Sequence, residues 1–236
     1  AGAKAETITI NSNGTKDNAL TLVAAAGKTL NITGDAAFTL GTGTPATIKD
    51  IVSTNTKGVT ITDALAKDVK FTGGTGADTI ELVSAFEKAI TMGAGNDTVT
   101  YATASTTEGK VGSVDAGADK DTIIMTSAEA NGITTDAFNT AFKNFEVLEI
   151  LDATTTGHTI DVEKINNVSQ VTFAAAVTGT ATINNLVNNG KVKLTTNGAS
   201  TPILNVNVKN ATTGTSDVLN LELSKTGAVL TAGTVT

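Results

Sequence analysis

Three glycine-rich segments, each closed by an aspartate and running into β-branched sequence, recur along this chain. They are Gly73-Gly74-Thr75-Gly76-Ala77-Asp78-Thr79-Ile80, Gly93-Ala94-Gly95-Asn96-Asp97-Thr98-Val99 and Ala116-Gly117-Ala118-Asp119-Lys120-Asp121-Thr122-Ile123. The aspartates Asp78, Asp97 and Asp121 are separated by 19 and 24 residues. Tandem nonapeptides would step by about nine, and two of them make one coil of about eighteen. A step of 19 is then one full coil, and 24 is one coil with a short insertion around Ser105-Thr106-Thr107-Glu108-Gly109. The spacing predicts three equivalent turns stacked on one side of a winding chain.

The rest of the sequence supports many short strands. Apolar pairs separated by one residue recur as Ile8/Ile10, Leu20/Leu22, Leu30/Ile32, Phe38/Leu40, Val59/Ile61, Val69/Phe71, Ile80/Leu82 and Val99/Tyr101. They continue as Leu148/Ile150, Ile160/Val162, Val171/Phe173, Val192/Leu194, Leu204/Val206 and Leu219/Leu221. Gly, Asn, Thr and Asp lie between them, the pattern of strands with one buried face. A β-sandwich shows similar spacing, but two-residue hairpin signals are few and the glycine-aspartate turns belong to a coil that keeps winding. The expected fold class is all-β, a parallel β-solenoid with short helical segments. The C-terminal part is either continued solenoid or a β-sandwich.

Composition narrows the chemistry. The 236 residues include no Cys or Trp, one Tyr and seven Phe, so a core must be built from Val, Ile, Leu and Ala. Net charge is −7 and all 16 basic residues are Lys, which removes bidentate guanidinium recognition of phosphate and argues against nucleic acid. No apolar run approaches the roughly 20 residues of a membrane span, so membrane insertion is not expected. The start, Ala1-Gly2-Ala3-Lys4, lacks the apolar stretch of a secretory signal. With Gly233-Thr234-Val235-Thr236 ending in strand-like sequence, the chain reads as a fragment of a longer protein.

Two stretches break the strand rhythm. Ser84-Ala85-Phe86-Glu87-Lys88-Ala89 and residues 135–143 place Phe and Ala at helical spacing, the second with Thr134, Thr135 or Asp136 as a cap. Both are expected to be one or two helical turns covering the coil, the second closing its end against edge pairing. The expected division is a solenoid region over 1–135, with its special turns at 73–124, and a second β-rich region over 136–236.

The three turns suit a hard cation. Calcium takes roughly six to eight oxygen ligands from carboxylates and main-chain carbonyls. Glycines let successive carbonyls turn inward, and the aspartate supplies negative charge. The candidate metal residues are Gly73, Gly74, Thr75, Gly76 and Asp78 in the first turn and Gly93, Ala94, Gly95 and Asp97 in the second. In the third they are Asp115, Gly117, Asp119 and Asp121, with Asp119 standing where glycine is usual. Because an ion sits between equivalent turns of adjacent coils, one ladder of about two Ca²⁺ is expected. Thr213-Gly214-Thr215-Ser216-Asp217-Val218-Leu219 has one Gly and reads as an ordinary turn. His158 has no Cys or second His beside it and reads as a solvent-facing loop residue, while Glu146 and Glu149 read as a solvated strand face. No catalytic motif appears, and an enzyme is not expected.

The three motifs resemble those of the RTX family, proteins exported by type I secretion that fold outside the cell on meeting calcium. The match covers residues 73 to 124. Phe145-Glu146-Val147-Leu148, residues 211–223 and Ala232-Gly233-Thr234-Val235 further resemble surface-layer proteins of the Caulobacter and Campylobacter kind. That resemblance implies a secreted, cell-surface protein that assembles with itself into a lattice, needs calcium for folding and subunit contacts, and meets lipopolysaccharide through sequence outside this chain. The alternatives are the calcium-binding repeat region of an RTX adhesin or of a secreted hydrolase. One motif per coil departs from the usual two-sided RTX block.

Overall fold

The computed structural model describes residues 5–41, 44–104, 107–154, 157–196, 203–211, 216–223 and 231–235. It divides into two units, residues 1–121 with 141–144, and residues 122–140 with 145–236. Each is a parallel β-solenoid whose strands pair with strands of the preceding and following coils. The sandwich alternative for the C-terminal part is therefore set aside.

In chain order the first unit contains β1 (Thr7–Ser12), β2 (Asn18–Leu20), β3 (Thr29–Gly34), β4 (Phe38–Leu40), β5 (Asp50–Ser53) and β6 (Val59–Ile61). It continues with β7 (Lys70–Thr72), β8 (Thr79–Glu81), β9 (Ala89–Thr91), β10 (Thr98–Thr100) and β11 (Ser113–Asp115). The second unit opens with β12 (Thr122–Met125) and the short helices α1 (Ser127–Gly132) and α2 (Ala137–Ala141). The chain then returns to the first unit for β13 (Phe142–Lys143). The second unit resumes with β14 (Val147–Ile150), β15 (His158–Asp161), β16 (Gln170–Phe173), β17 (Thr180–Leu186), β18 (Lys191–Leu194), β19 (Ile203–Val208), β20 (Asn220–Leu223) and β21 (Thr231–Val235).

Odd strands stack on odd strands in the first unit, β1-β3-β5-β7-β9-β11-β13, and even on even, β2-β4-β6-β8-β10. The second unit repeats the plan with β12-β14-β16-β18-β20 and β15-β17-β19-β21. The sequence dictates this because parallel in-register pairing places like side chains directly above one another. Leu30, Ile51, Phe71, Ile90, Val114 and Phe142 form one such inward column. Ile123, Leu148, Val171 and Val192 form another. All ten are at most 2% exposed. Burying each such side chain contributes roughly 1.5 to 3 kcal/mol, so the core is a sum of repeated layers. Threonines at the alternating outward positions, Thr39, Thr60, Thr79 and Thr98, keep β-branched stiffness on the wet face.

The structure corrects the helical reading of residues 84–89. Ser84 and Ala85 form a turn, with Ala85 at φ 59°, and Phe86 makes a parallel bridge to Ala104. The spacing that mimicked a helix arises because Phe86 must reach the core at a corner of the coil. There its ring meets Phe142 edge-on at 5.9 Å, and Tyr101 packs against the Phe142 ring at 5.2 Å. The helix within 135–143 is present as α2. It does not end the coil, since β13 and β14 pair with β11 and β12 beyond it. The first helix, α1, was not anticipated. It carries a capping box in which Thr126 Oγ1 accepts from Glu129 N at 3.2 Å and Glu129 Oε2 accepts from Thr126 N at 2.8 Å. Among the described residues no helix is long and apolar enough to cross a membrane.

If the column is the source of stability, Phe71→Ala removes a ring from a fully buried layer and should cost about 3 to 5 kcal/mol. Urea unfolding followed by circular dichroism measures it, and a loss below about 1 kcal/mol would contradict the packing described.

Candidate metal centre

The three turns 73–78, 92–97 and 116–121 follow β7, β9 and β11, so the winding itself carries them to the same side of the first unit. Pairing is in register over both steps: Thr79 faces Thr98, 19 residues on, and Asp97 bonds Asp121, 24 residues on. The extra length lies between β10 and β11, where Ser105 and Thr106 fall outside the described residues while Thr107 accepts from Lys110 N at 2.9 Å.

Asp78, Asp97 and Asp121 point inward and are 0% exposed. Each reaches back one coil with Oδ1 to accept a main-chain N–H. Val59 N donates to Asp78 at 2.7 Å, Asp78 N to Asp97 at 2.6 Å, and Asp97 N to Asp121 at 2.8 Å. The residues two positions on, Ile80, Val99 and Ile123, are buried and anchor each turn to the core. The second oxygen of Asp97 is also buried but makes no hydrogen bond, whereas the Asp78 carboxyl has the Gly74 N–H beside it as well as that of Val59. A buried carboxylate oxygen without a partner is costly.

The electrostatics record this cost. Burial pushes the Asp78 carboxyl up from 3.8 to about 6, against the opposing N–H groups of Val59 and Gly74. Burial pushes Asp97 to about 7 against the N–H of Asp78, and the carboxylates of Asp78, Asp121 and Asp119 add to the rise. Burial thus favours the protonated form of both carboxyls.

The surrounding turn is tightly cradled. A side chain on Gly73 would run into the Met92 carbonyl oxygen, and one on Gly93, held at φ 106°, into that of Gly74. The Gly74 and Gly93 carbonyls accept from Ala94 N at 2.8 Å and Ala118 N at 2.9 Å, which ties coil to coil. Thr75 is exposed, whereas Gly76 is buried against the backbone of Gly58. Gly95 N donates to Asp119 Oδ2 at 3.1 Å.

Asp119 explains its own departure from glycine. It adopts φ 86°, a left-handed conformation like that of Gly95 at 112°, which Asp tolerates better than most side chains. Gly117 keeps the turn at φ 102°. Asp115 sits apart from the inward column, exposed on β11, where Asn144 Nδ2 donates to its Oδ1 at 2.7 Å.

Among the described residues no three His, Cys, Asp or Glu side chains converge as a ready ligand cluster. The column supplies one buried carboxylate per coil, and main-chain carbonyls of the turns would have to complete an oxygen shell. That donor set, all oxygen with a buried unpartnered carboxylate oxygen on Asp97, fits Ca²⁺ and offers nothing to a softer metal. Asp78, Asp97 and Asp121 are the residues that would hold it.

Other sequence candidates lie elsewhere. Asp217 is exposed, and Thr213, Gly214 and Thr215 fall outside the described residues. His158 begins β15 rather than occupying a loop. It is half-buried, with Nδ1 making no hydrogen bond, because the chain re-enters the sheet one residue after Gly157. Glu146 and Glu149 are half-buried at β14. Sequence reasoning missed Asn55, 0% exposed in the turn before β6, and the buried Ser12 and Ser53. Asp152 shows what a satisfied carboxylate looks like in the second unit: Ser127 donates N–H to one oxygen at 2.6 Å and Oγ–H to the other at 3.2 Å.

A pH dependence follows for the metal-free chain. Asp78 and Asp97 hold protons more tightly folded, to about 6 and about 7, than at the ordinary 3.8. Their contribution is therefore full below about pH 4 and is lost as pH rises through 6 and 7. The urea midpoint in excess chelator should be higher at pH 4.5 than at pH 7.5, and Asp97→Asn should reduce the difference. A midpoint that rises over this interval would contradict the uncompensated column.

Compared with known proteins, the chain matches no family model and no curated protein sequence.

Proposed function

We propose that this chain is a structural, non-catalytic solenoid of a bacterial surface layer, in which Ca²⁺ held along the Asp78-Asp97-Asp121 column drives folding and assembly outside the cell. The observation that carries the calcium reading is the fully buried carboxylate column, in which Asp97 keeps one oxygen without a hydrogen bond. In the absence of an ion the stacked charges oppose the coil, and the glycine-rich turns lose much backbone entropy on ordering. Binding free energy then becomes folding free energy. Sites of the extracellular class, with dissociation constants of roughly 0.1 to 1 mM, stay empty at cytosolic calcium and fill outside.

The surface-layer part rests on the resemblance of residues 145–148, 211–223 and 232–235, and on an architecture suited to it. A solenoid of repeated coils is stiff, lacks disulfides and presents long polar faces, which are useful properties for a lattice subunit.

Calcium removal should lower the β-sheet circular dichroism and the melting temperature at pH 7.5, and added CaCl₂ should restore both. Asp97→Ala, whose residue stands between the other two, should weaken calcium binding in calorimetry more than Asp78→Ala. Unchanged stability in excess chelator would refute the metal assignment. For the lattice, negative-stain microscopy of the full-length protein in calcium should show ordered two-dimensional arrays, and persistent monomers would count against it.

A further inference from the structure

The turn column does not begin at Asp78. One coil earlier, in the turn between β5 and β6, Asn55 is 0% exposed and fills the turn from within. Its Oδ1 accepts from Lys57 N at 2.8 Å and from Gly58 N at 2.9 Å. Its Nδ2 donates to the Ala36 carbonyl at 2.8 Å, one coil back, and its own N–H donates to Ser53 Oγ at 3.2 Å. The chain of neutral groups continues: Ser12 Oγ also donates to Ala36 O at 2.8 Å, and Asn18 Nδ2 donates to Ser12 Oγ at 3.0 Å. Each of these polar groups is satisfied, in contrast to the carboxylate of Asp97.

We propose that Asn55 is an internal amide plug that performs in its own turn the bridging work assigned to a cation in the next three, so that the metal column ends there. This rests on the calcium reading for the later turns, but the plug itself stands on geometry alone. The two turns differ in charge and in satisfaction. The neutral amide oxygen of Asn55 already accepts two main-chain N–H groups, from Lys57 and Gly58, so it has neither the charge nor a free lone pair to offer a cation. Where a carboxylate-and-ion pair would join two coils, one side-chain amide does so by itself, donating to Ala36 and accepting within its own turn. Asp78, the first carboxylate, rests on this plugged coil through Val59 N. The early coils are thus a metal-independent base against which the metal-dependent ones are built.

Hydrogen exchange of the intact chain, in EGTA and in CaCl₂, tests the assignment at single amides. In the wild type, Lys57 and Gly58 should stay protected in both conditions, while Asp78 and Asp97, whose N–H groups serve the carboxylates, should gain protection with calcium. Asn55→Ala should speed exchange at Lys57 and Gly58 about tenfold or more in both conditions, the change expected for one lost hydrogen bond of ordinary strength. Asn55→Asp keeps the acceptor, loses the donor to Ala36 and adds a buried charge. Its Lys57 and Gly58 amides should become calcium-responsive, unprotected in EGTA and protected in CaCl₂. Loss of wild-type protection at Lys57 and Gly58 in EGTA, protection surviving in Asn55→Ala, or an Asn55→Asp variant indifferent to calcium would each overturn the plug. Indifference of Asp78 and Asp97 to calcium, with Lys57 and Gly58 behaving as stated in the wild type and Asn55→Ala, would instead overturn the calcium reading.

Discussion

The first unit turns on the enforced burial of carboxylates at one repeated position, with their mutual proximity adding to the cost. Parallel in-register stacking brings equivalent residues of adjacent coils to roughly 4.8 Å, and the sequence places Asp78, Asp97 and Asp121 at one such position, fully buried. Two unit charges about 5 Å apart repel by about 3 kcal/mol at an effective dielectric near 20. That is a sizeable share of the 5 to 15 kcal/mol stability of a typical domain. The glycines that let the turns close, the apolar anchors at Ile80, Val99 and Ile123, and the coil-to-coil bonds of Gly74 and Gly93 all surround that liability. The repeat that builds the core cheaply also stacks its carboxylates.

Much of this was legible because a solenoid writes its geometry as a period. The steps of 19 and 24 residues between aspartates appear directly as the hydrogen bonds Asp78 to Asp97 and Asp97 to Asp121. The apolar pairs that announced strands fall on β1, β3, β4, β6 and their successors. Among the strands that no apolar pair announced, four have an inward pair that includes a small or atypical residue: Ile51 with Ser53, Ile90 with Met92, Val114 with Ala116, Ala181 with Ile183. The core accepts these because the layers above and below fill the space, a fact no single strand reveals. Corners are harder still, as residues 84–89 show, since a buried Phe at a bend and one on a helix leave the same trace.

Within the candidate site, position was readable and partnership was not. That each aspartate spends one oxygen on the preceding coil's N–H depends on the depth of the turn, which sequence does not encode locally. Asp119 and Asp115 illustrate the limit from opposite sides. The first replaces glycine in a left-handed conformation and ties Gly95 into the turn; the second is drawn outward to Asn144. Two carboxylates four residues apart therefore have unrelated settings. Asn55 left a fainter signal, the run Asn55-Thr56-Lys57-Gly58, the composition of an ordinary side-chain-capped turn.

The backward reach of each carboxylate has a consequence for how each coil depends on its neighbours. Val59 N finds its acceptor on Asp78, Asp78 N on Asp97, and Asp97 N on Asp121, so every donor in the series waits for sequence that lies 19 or 24 residues downstream. A coil laid onto an already formed C-terminal neighbour finds its acceptor in place. One laid onto an N-terminal neighbour completes that neighbour and is itself left incomplete. The main-chain carbonyls of Gly74, Asp78 and Gly93 work the other way, receiving Ala94 N, Thr98 N and Ala118 N from the later coil, so each seam is closed from both sides and the side-chain series alone leaves the earlier coil dependent on the later.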